Sequence, residues 1–324
     1  MLLILEAYFM NKEYRFSAQE LETQLDFLSE KKITQIFVSD THITTNKKRL
    51  LDLLKKIEKK APSVFFDFTI DYGILDGEIL QALTSVFASI RIPLTLSYDK
   101  KLLQKKINLC NDYEIVYGFM LDFSSSENLT FKTFRDSLDF IISLYPNHLY
   151  FNNEDFQPTR ILSSFDKDKI VKIQHACEAF YTYGRAVPWF LSVLKALKIN
   201  STAFFTDFAE WQLCNNCSIK TGVDFSVLPH EEIEKMQLAF LELKCDEKKV
   251  LPLFHVIADV VKLNGAFSRI ISDEKESILD LHYHPEDLFS QDVLDLHFFA
   301  DNVCMEENTY KVLLSDEGPA FELV

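Results

Sequence analysis

Val64-Phe65-Phe66-Asp67-Phe68-Thr69-Ile70, followed by a helical span from Asp76 to Phe87 and a second apolar run from Ile90 to Leu96, decides the fold class. Both runs are rich in β-branched and aromatic residues and alternate only weakly, the pattern of strands buried on both faces. Working outward, runs of the same kind occur at Leu2 to Phe9, Ile33 to Ser39, Glu114 to Leu121 and His148 to Asn152. Amphipathic segments separate them. Ser17-Ala18-Gln19-Glu20 forms a capping box ahead of Leu21, Leu25, Phe27 and Leu28. Asn46 to Lys60 sets Leu50, Leu51, Leu53, Leu54 and Ile57 on one broad face, and Lys100 to Cys110 and Thr130 to Leu144 read the same way. A strand followed by a helix, repeated along the chain, predicts a parallel α/β sheet. Such a sheet curls into a full or partial barrel whose site lies at the carboxyl ends of the strands.

The pattern changes after Phe165. Asp166 to Asn264 reads as almost continuous helix, broken at Pro188, near Gly222 and near Pro252. Beyond Ser272, short β-like runs appear at Ile278 to His284, Leu294 to Phe299, Tyr310 to Leu314 and Ala320 to Val324. The expected organisation is a βα barrel over residues 1–165, a helical appendage over 166–265 and a small, mostly antiparallel β region over 266–324.

Composition sets limits on function. The 324 residues carry 49 acidic against 34 basic side chains, a net charge of -15. That field repels phosphate backbones, so nucleic acid and anionic membranes are not expected partners. Only 7 glycines are present, and average usage would give roughly three times as many. Phosphate-cradling loops depend on glycine, and neither a G-x-G-x-x-G nor a P-loop pattern occurs. The opening Met1-Leu2-Leu3-Ile4-Leu5-Glu6 has no basic flank, no stretch approaches the ~18 apolar residues of a membrane span, and six scattered cysteines suggest no disulfide scaffold. A cytoplasmic protein is expected.

Several stretches then carry a family signal. Tyr14 to Leu21, Ile36-Phe37-Val38-Ser39-Asp40-Thr41 and Asn46-Lys47-Lys48-Arg49 resemble the opening of a radical SAM domain. Phe131 to Leu144 with Tyr145-Pro146-Asn147-His148-Leu149 resembles that family's fifth helix and sixth strand. Ala179 to Arg185 and Phe204 to Trp211 are similar to the helical tail of a cobalamin-linked subfamily that carries a C-terminal domain of unknown function. The resemblance implies a partial (βα)6 TIM-like barrel. It also exposes losses. No C-x-x-x-C-x-x-C occurs, and Leu3 and Glu6 stand where two cluster ligands are expected, so no [4Fe–4S] cluster is expected. Asp122-Phe123-Ser124 replaces the Gly-x-Pro turn beside SAM, and the acidic residue expected within Ile92-Pro93-Leu94-Thr95 is missing. No cobalamin-binding domain is expected ahead of the barrel.

The resulting expectation is a radical-SAM-like pseudoenzyme without a cofactor, acting as a binding or accessory protein for a small molecule or a protein such as an active relative. The alternative is a non-radical enzyme, or a binder of SAM or another small molecule, at the barrel mouth. The polar residues at expected strand ends are Asp40, His42, Asp71, Ser97, Asp122, Asn152 and Glu154, and the resemblance adds Asp67 as a match to a SAM-pocket residue. An acid–base or metal reading draws on Asp40, His42, Asp67 and Asp122. Two further pairs are weaker candidates. Cys214 and Cys217 form a lone C-x-x-C that needs two more ligands, with His175 and Cys177 the nearest pair. His282 and His284 would share one side of a strand, with exposed edge residues as the alternative. Phe204, Phe205, Phe208 and Trp211 recur at helical spacing, a stripe expected to pack against the barrel.

Overall fold

The computed structural model describes residues 23, 25, 35–40, 43, 45–123, 128–152, 158, 160–218, 223–316 and 318–324. The predicted strand Leu2 to Phe9, Ser17 and all of the helix it opens but residues 23 and 25, and His42 and Glu154 lie outside them. Contacts divide the chain into two compact units, residues 1–134 with 146–161, and residues 135–145 with 162–324.

The first unit alternates β1 (Gln35–Val38), α1 (Lys47–Lys60), β2 (Phe65–Thr69), α2 (Gly77–Leu83), β3 (Ala88–Leu94), α3 (Lys100–Asp112), β4 (Tyr117–Asp122) and β5 (His148–Asn152); α4 (Phe131–Ile142), between the last two strands in the chain, belongs to the second unit from residue 135 onward. All five strands are parallel and pair in chain order, β1-β2-β3-β4-β5. Right-handed crossovers between sequentially adjacent strands set their helices on one face. Burial agrees with that rule. Ile36, Phe66, Phe68, Ile90, Ile92, Phe119, Leu121 and Leu149 are buried, as are Leu50, Leu54, Ile57, Ile79, Leu80, Leu103 and Ile107 of α1 to α3. Each such side chain contributes about 1.5–3 kcal/mol on leaving water. The caps are local: the side chains of Asn46, Asp76 and Asp99 accept N–H bonds from the first turns of α1, α2 and α3.

The opposite face is strongly curled. In a flat sheet β1 and β5 lie four strand spacings apart, about 19 Å. Here the Arg91 guanidinium on β3 lies 4.6 Å from the Phe37 ring of β1 and 4.5 Å from the Tyr150 ring of β5. Gly118 on β4 stands beside Arg91 in the register, and a Cβ there would sit 2.8 Å from the His148 carbonyl oxygen. The missing side chain lets the β5 backbone approach β4 closely at this point.

The second unit contains α5 (Ser164–Cys177), a π-helical turn (Glu178–Tyr183), α6 (Phe190–Leu197), α7 (Ser201–Cys214), α8 (His230–Glu247) and α9 (Phe254–Asp273). A three-stranded antiparallel sheet follows, β6 (Ser277–Leu281), β7 (Asn308–Ser315) and β8 (Gly318–Leu323), with α10 (Pro285–Leu288) and α11 (Leu296–Asn302) between its first two strands. The run Leu294 to Phe299, expected as β, is instead the entry to a helix. The Asp295 side chain caps α11 by accepting the Phe298 N–H, and Leu296 and Phe299 bury one helical face. Cap chemistry and a three-residue spacing overrode a run that looked merely apolar. The aromatic stripe of α7 finds its ring partners inside this unit: Phe204, Phe205 and Phe208 meet Phe180, and Trp211 meets Phe240.

Helix α9 approaches α8 at Gly265, where an added Cβ would fall on Glu234 Oε2 and lie 3.2 Å from Arg269 and His230. Alanine in place of glycine inside a helix ordinarily stabilises by about 1 kcal/mol. Here overpacking reverses the sign. Urea unfolding of Gly265→Ala is expected to show a net loss of about 1–2 kcal/mol; a gain would mean that Glu234 can move aside freely.

Candidate functional site

Side chains alternate across a strand, so the register assigns one set to the concave face. Phe37, Asp67 and Ser89 form one row, and Thr69, Arg91, Gly118 and His148 the next. Pro93, Met120 and Tyr150 follow, then Asp122 and Asn152 at the carboxyl edge. This face carries the chemistry, because the other is filled with aliphatic and aromatic packing.

Its deepest feature is an ion pair. Arg91 donates from Nε to Asp67 Oδ2 at 2.6 Å, and its NH2 group lies 2.6 Å from the same oxygen. Asp67 is only 7% exposed, and its Oδ1 has no hydrogen-bond partner among the described residues. The guanidinium stacks between Phe37 and Tyr150, so it is fixed by charge on one side and by two π faces on others. Arg91 was not among the residues singled out from sequence. A lone arginine inside an apolar strand was the available signal, since a buried cation requires a partner.

A pocket of about 550 Å³ opens at the carboxyl ends of β2 to β5. Asp71 and Tyr72 after β2, Pro93, Thr95, Ser97 and Tyr98 at and beyond the end of β3, Met120 and Asp122 of β4, and Asn152 of β5 contribute to its wall. Four residues named from sequence, Asp71, Ser97, Asp122 and Asn152, therefore share one cavity. Local turns place them. The Asp71 carboxylate accepts the Gly73 N–H at 2.6 Å, the Ser97 N–H donates to Thr95 Oγ1 at 3.4 Å, and the Asp99 N–H donates to the Tyr72 hydroxyl at 3.2 Å. Asp40 follows β1 and Asp67 lies within β2, and neither is among the residues lining this pocket. Among the described residues the lining contains two carboxylates, an amide and several hydroxyls, and no lysine, arginine or histidine. Such a set accepts hydrogen bonds from ammonium and hydroxyl groups, with Tyr72 and Tyr98 offering aromatic surface.

The other sequence candidates separate. Cys214 ends α7 and is exposed, whereas Cys177 is fully buried in α5 and desolvation pushes its thiol well up. Burial also raises the Cys217 thiol, whose Sγ is 3.6 Å from the Gln212 carbonyl. His175 sits 3.8 Å from Glu178, and burial lowers its pKa. Among the described residues no group of three or more His, Cys, Asp or Glu side chains is placed to hold a metal ion. The three buried cysteines, Cys110, Cys177 and Cys245, have thiols raised chiefly by desolvation, the opposite of cluster-ligand chemistry. The chain's cysteines thus do not fit a [4Fe–4S] cluster.

His282 and His284 are not strand neighbours, a correction to the expected geometry. Strand β6 stops at Leu281, because Asp259 captures the N–H groups of His282 and Tyr283. His284 caps α10, accepting the Glu286 N–H, and packs on Tyr310 and Phe321.

Among the described residues no helix is long and apolar enough to cross a membrane. No family model matches the chain, and no curated protein or solved structure matches it.

Proposed function

We propose that this chain binds a small molecule rich in hydrogen-bond donors, an amine or a polyol, at the carboxyl ends of β2 to β5, and performs no radical chemistry. The observation that carries this reading is the pocket in which Asp71, Asp122, Asn152 and Ser97 converge, with no basic residue among the described residues of its lining. Open α/β sheets hold ligands at that edge. The frame is a partial barrel of the radical SAM kind with its cluster ligands gone. Sequential strand order and the curl around Arg91 support that frame. SAM itself fits the pocket poorly. Its carboxylate would meet two carboxylates and no cation there.

Thermal unfolding of the full chain with linear polyamines, sugars and polyols, and SAM tests the reading. A true ligand at about 100 times its Kd adds about 2.7 kcal/mol of stability. Asp122→Asn is expected to weaken an amine about tenfold or more, the loss of a charge-assisted bond. An amine or polyol that stabilises the wild type and loses affinity in Asp122→Asn supports the proposal. No stabilisation by either class, or stabilisation untouched by the substitution, overturns it. Stoichiometric iron and sulfide after anaerobic reconstitution would overturn the loss of radical chemistry.

A further inference from the structure

Within the second unit, three side chains form a chain of contacts that the proposed function does not use. His255 and Asp259 are four residues apart on α9 and so share a helix face. His282 arrives from the end of β6. The Asp259 carboxylate is fully buried, accepting backbone N–H groups of His282 and Tyr283 on Oδ2 and the His282 ring on Oδ1 at 3.1 Å. His282 Nε2 in turn lies 3.0 Å from His255 Nδ1.

The proton positions follow from these partners. A carboxylate only accepts, so His282 Nδ1 carries a hydrogen, and the neutral ring presents a lone pair at Nε2. His255 Nδ1 is then the donor to it. The ring centroids are 4.3 Å apart and the planes meet at 59°, closer than a straight bond between ring edges would hold them. Neighbouring ligands of a tetrahedral ion with bonds of about 2.0–2.1 Å lie about 3.3 Å apart, so the two nitrogens need part by only a few tenths of an ångström to share one. The carboxylate behind His282 is the outer-shell partner that metal-ligating histidines recurrently use. His255 is exposed and the His282 side chain 27% exposed, so an ion can enter from solvent. Asp259 also gains. Its hydrogen-bond partners are amides and an imidazole, and a nearby dication adds to the countercharge that Lys262 supplies.

We infer that His255 Nδ1 and His282 Nε2 together bind a divalent ion of the zinc type, with Asp259 orienting His282 and solvent completing the coordination. Zinc takes the place of the His255 Nδ1 hydrogen, which that ring then carries on Nε2 so that it stays neutral, and the imidazole–imidazole bond gives way to two metal–nitrogen bonds. Imidazole suits zinc, copper and nickel, and the open positions leave room for a further ligand.

Zinc titration calorimetry of the full chain at pH 7.5 provides the test. Cys214, Cys217 and Cys304 are replaced by serine so that the less buried thiols do not compete. One equivalent is expected in the micromolar range. His255→Gln removes an exposed ligand without disturbing the core and should lower affinity about tenfold or more. Asp259→Asn should lower it about 10–100-fold, the usual effect of losing an outer-shell partner. If that variant unfolds, His255→Gln still decides. No stoichiometric binding, or a His255→Gln loss below about tenfold, overturns the assignment.

Discussion

Replacing Arg269 by methionine is expected to lower the unfolding free energy by about 3–5 kcal/mol, the cost of stranding a buried charge. Arg269 is 2% exposed on α9 and donates from NH1 to Glu234 Oε2 at 2.6 Å and to His230 Nδ1 at 3.0 Å. The His230 Nε2–H points to the Gly184 carbonyl at 3.3 Å, so the ring is neutral. Burial, aided by Arg185 and Arg269, pulls the His230 pKa to about 4. Without the guanidinium, Glu234 keeps its desolvation and loses its cation. Burial already raises its pKa. In the variant the folded state therefore binds a proton more readily than the unfolded chain above the ordinary carboxylate range. The sign follows: the variant regains stability as pH falls, so its deficit is larger at pH 8 than at pH 6. Urea unfolding at both values measures this. Adding Glu234→Leu to Arg269→Met should recover most of the loss, because no charge is then left buried. Equal losses at both pH values, or no recovery in the double variant, would mean that the network is only packing.

Truncating Phe180 to alanine should cost about 3–5 kcal/mol by opening a cavity. Phe180 is wholly buried at the centre of the helical unit. Its ring centroid lies 4.9 Å from Phe204 and Phe208, 5.8 Å from Trp189, 5.9 Å from Phe190 and 6.3 Å from Phe240. Rings drawn from α6, α7 and α8 cannot all close on the vacated space without moving their helices. The π-helical turn that carries Phe180 also aims its carbonyl at Gln237 Nε2, 2.8 Å away, so the backbone there is held from two sides. Phe165→Ala is the matched control. That side chain is 77% exposed, and its removal should stay within about 0.5 kcal/mol. Comparable effects at the two positions would overturn the view of Phe180 as the hub.

Much of this fold was legible because its decisive signals are local. Strands β1 to β5 are short apolar runs separated by amphipathic helices, and Asn46, Asp76 and Asp99 mark the first three helix starts by their side-chain chemistry. The strand-end polar residues could be named for the same reason: in a parallel α/β sheet, the residue after each strand lies at one edge. Asp71, Ser97, Asp122 and Asn152 meet because that edge is common to all the strands. Reading failed where a local pattern had two solutions. Leu294 to Phe299 is apolar enough for a strand, and only the Asp295 cap and the burial of Leu296 and Phe299 select the helix.

The sequence alone determined the alternation of strands and helices, the acidic surface and the absence of a cysteine triad, because period, charge and motif spacing are properties of neighbouring residues. The tertiary structure alone decided which distant groups meet. Arg91 reaches Phe37, Asp67 and Tyr150 because the sheet curls, and that curl accumulates over five strands. His282 finds Asp259 and His255 because β6 ends where α9 offers a buried carboxylate. These contacts join residues 23 to 59 positions apart, and their partners are chosen by packing and by the need to satisfy a buried charge.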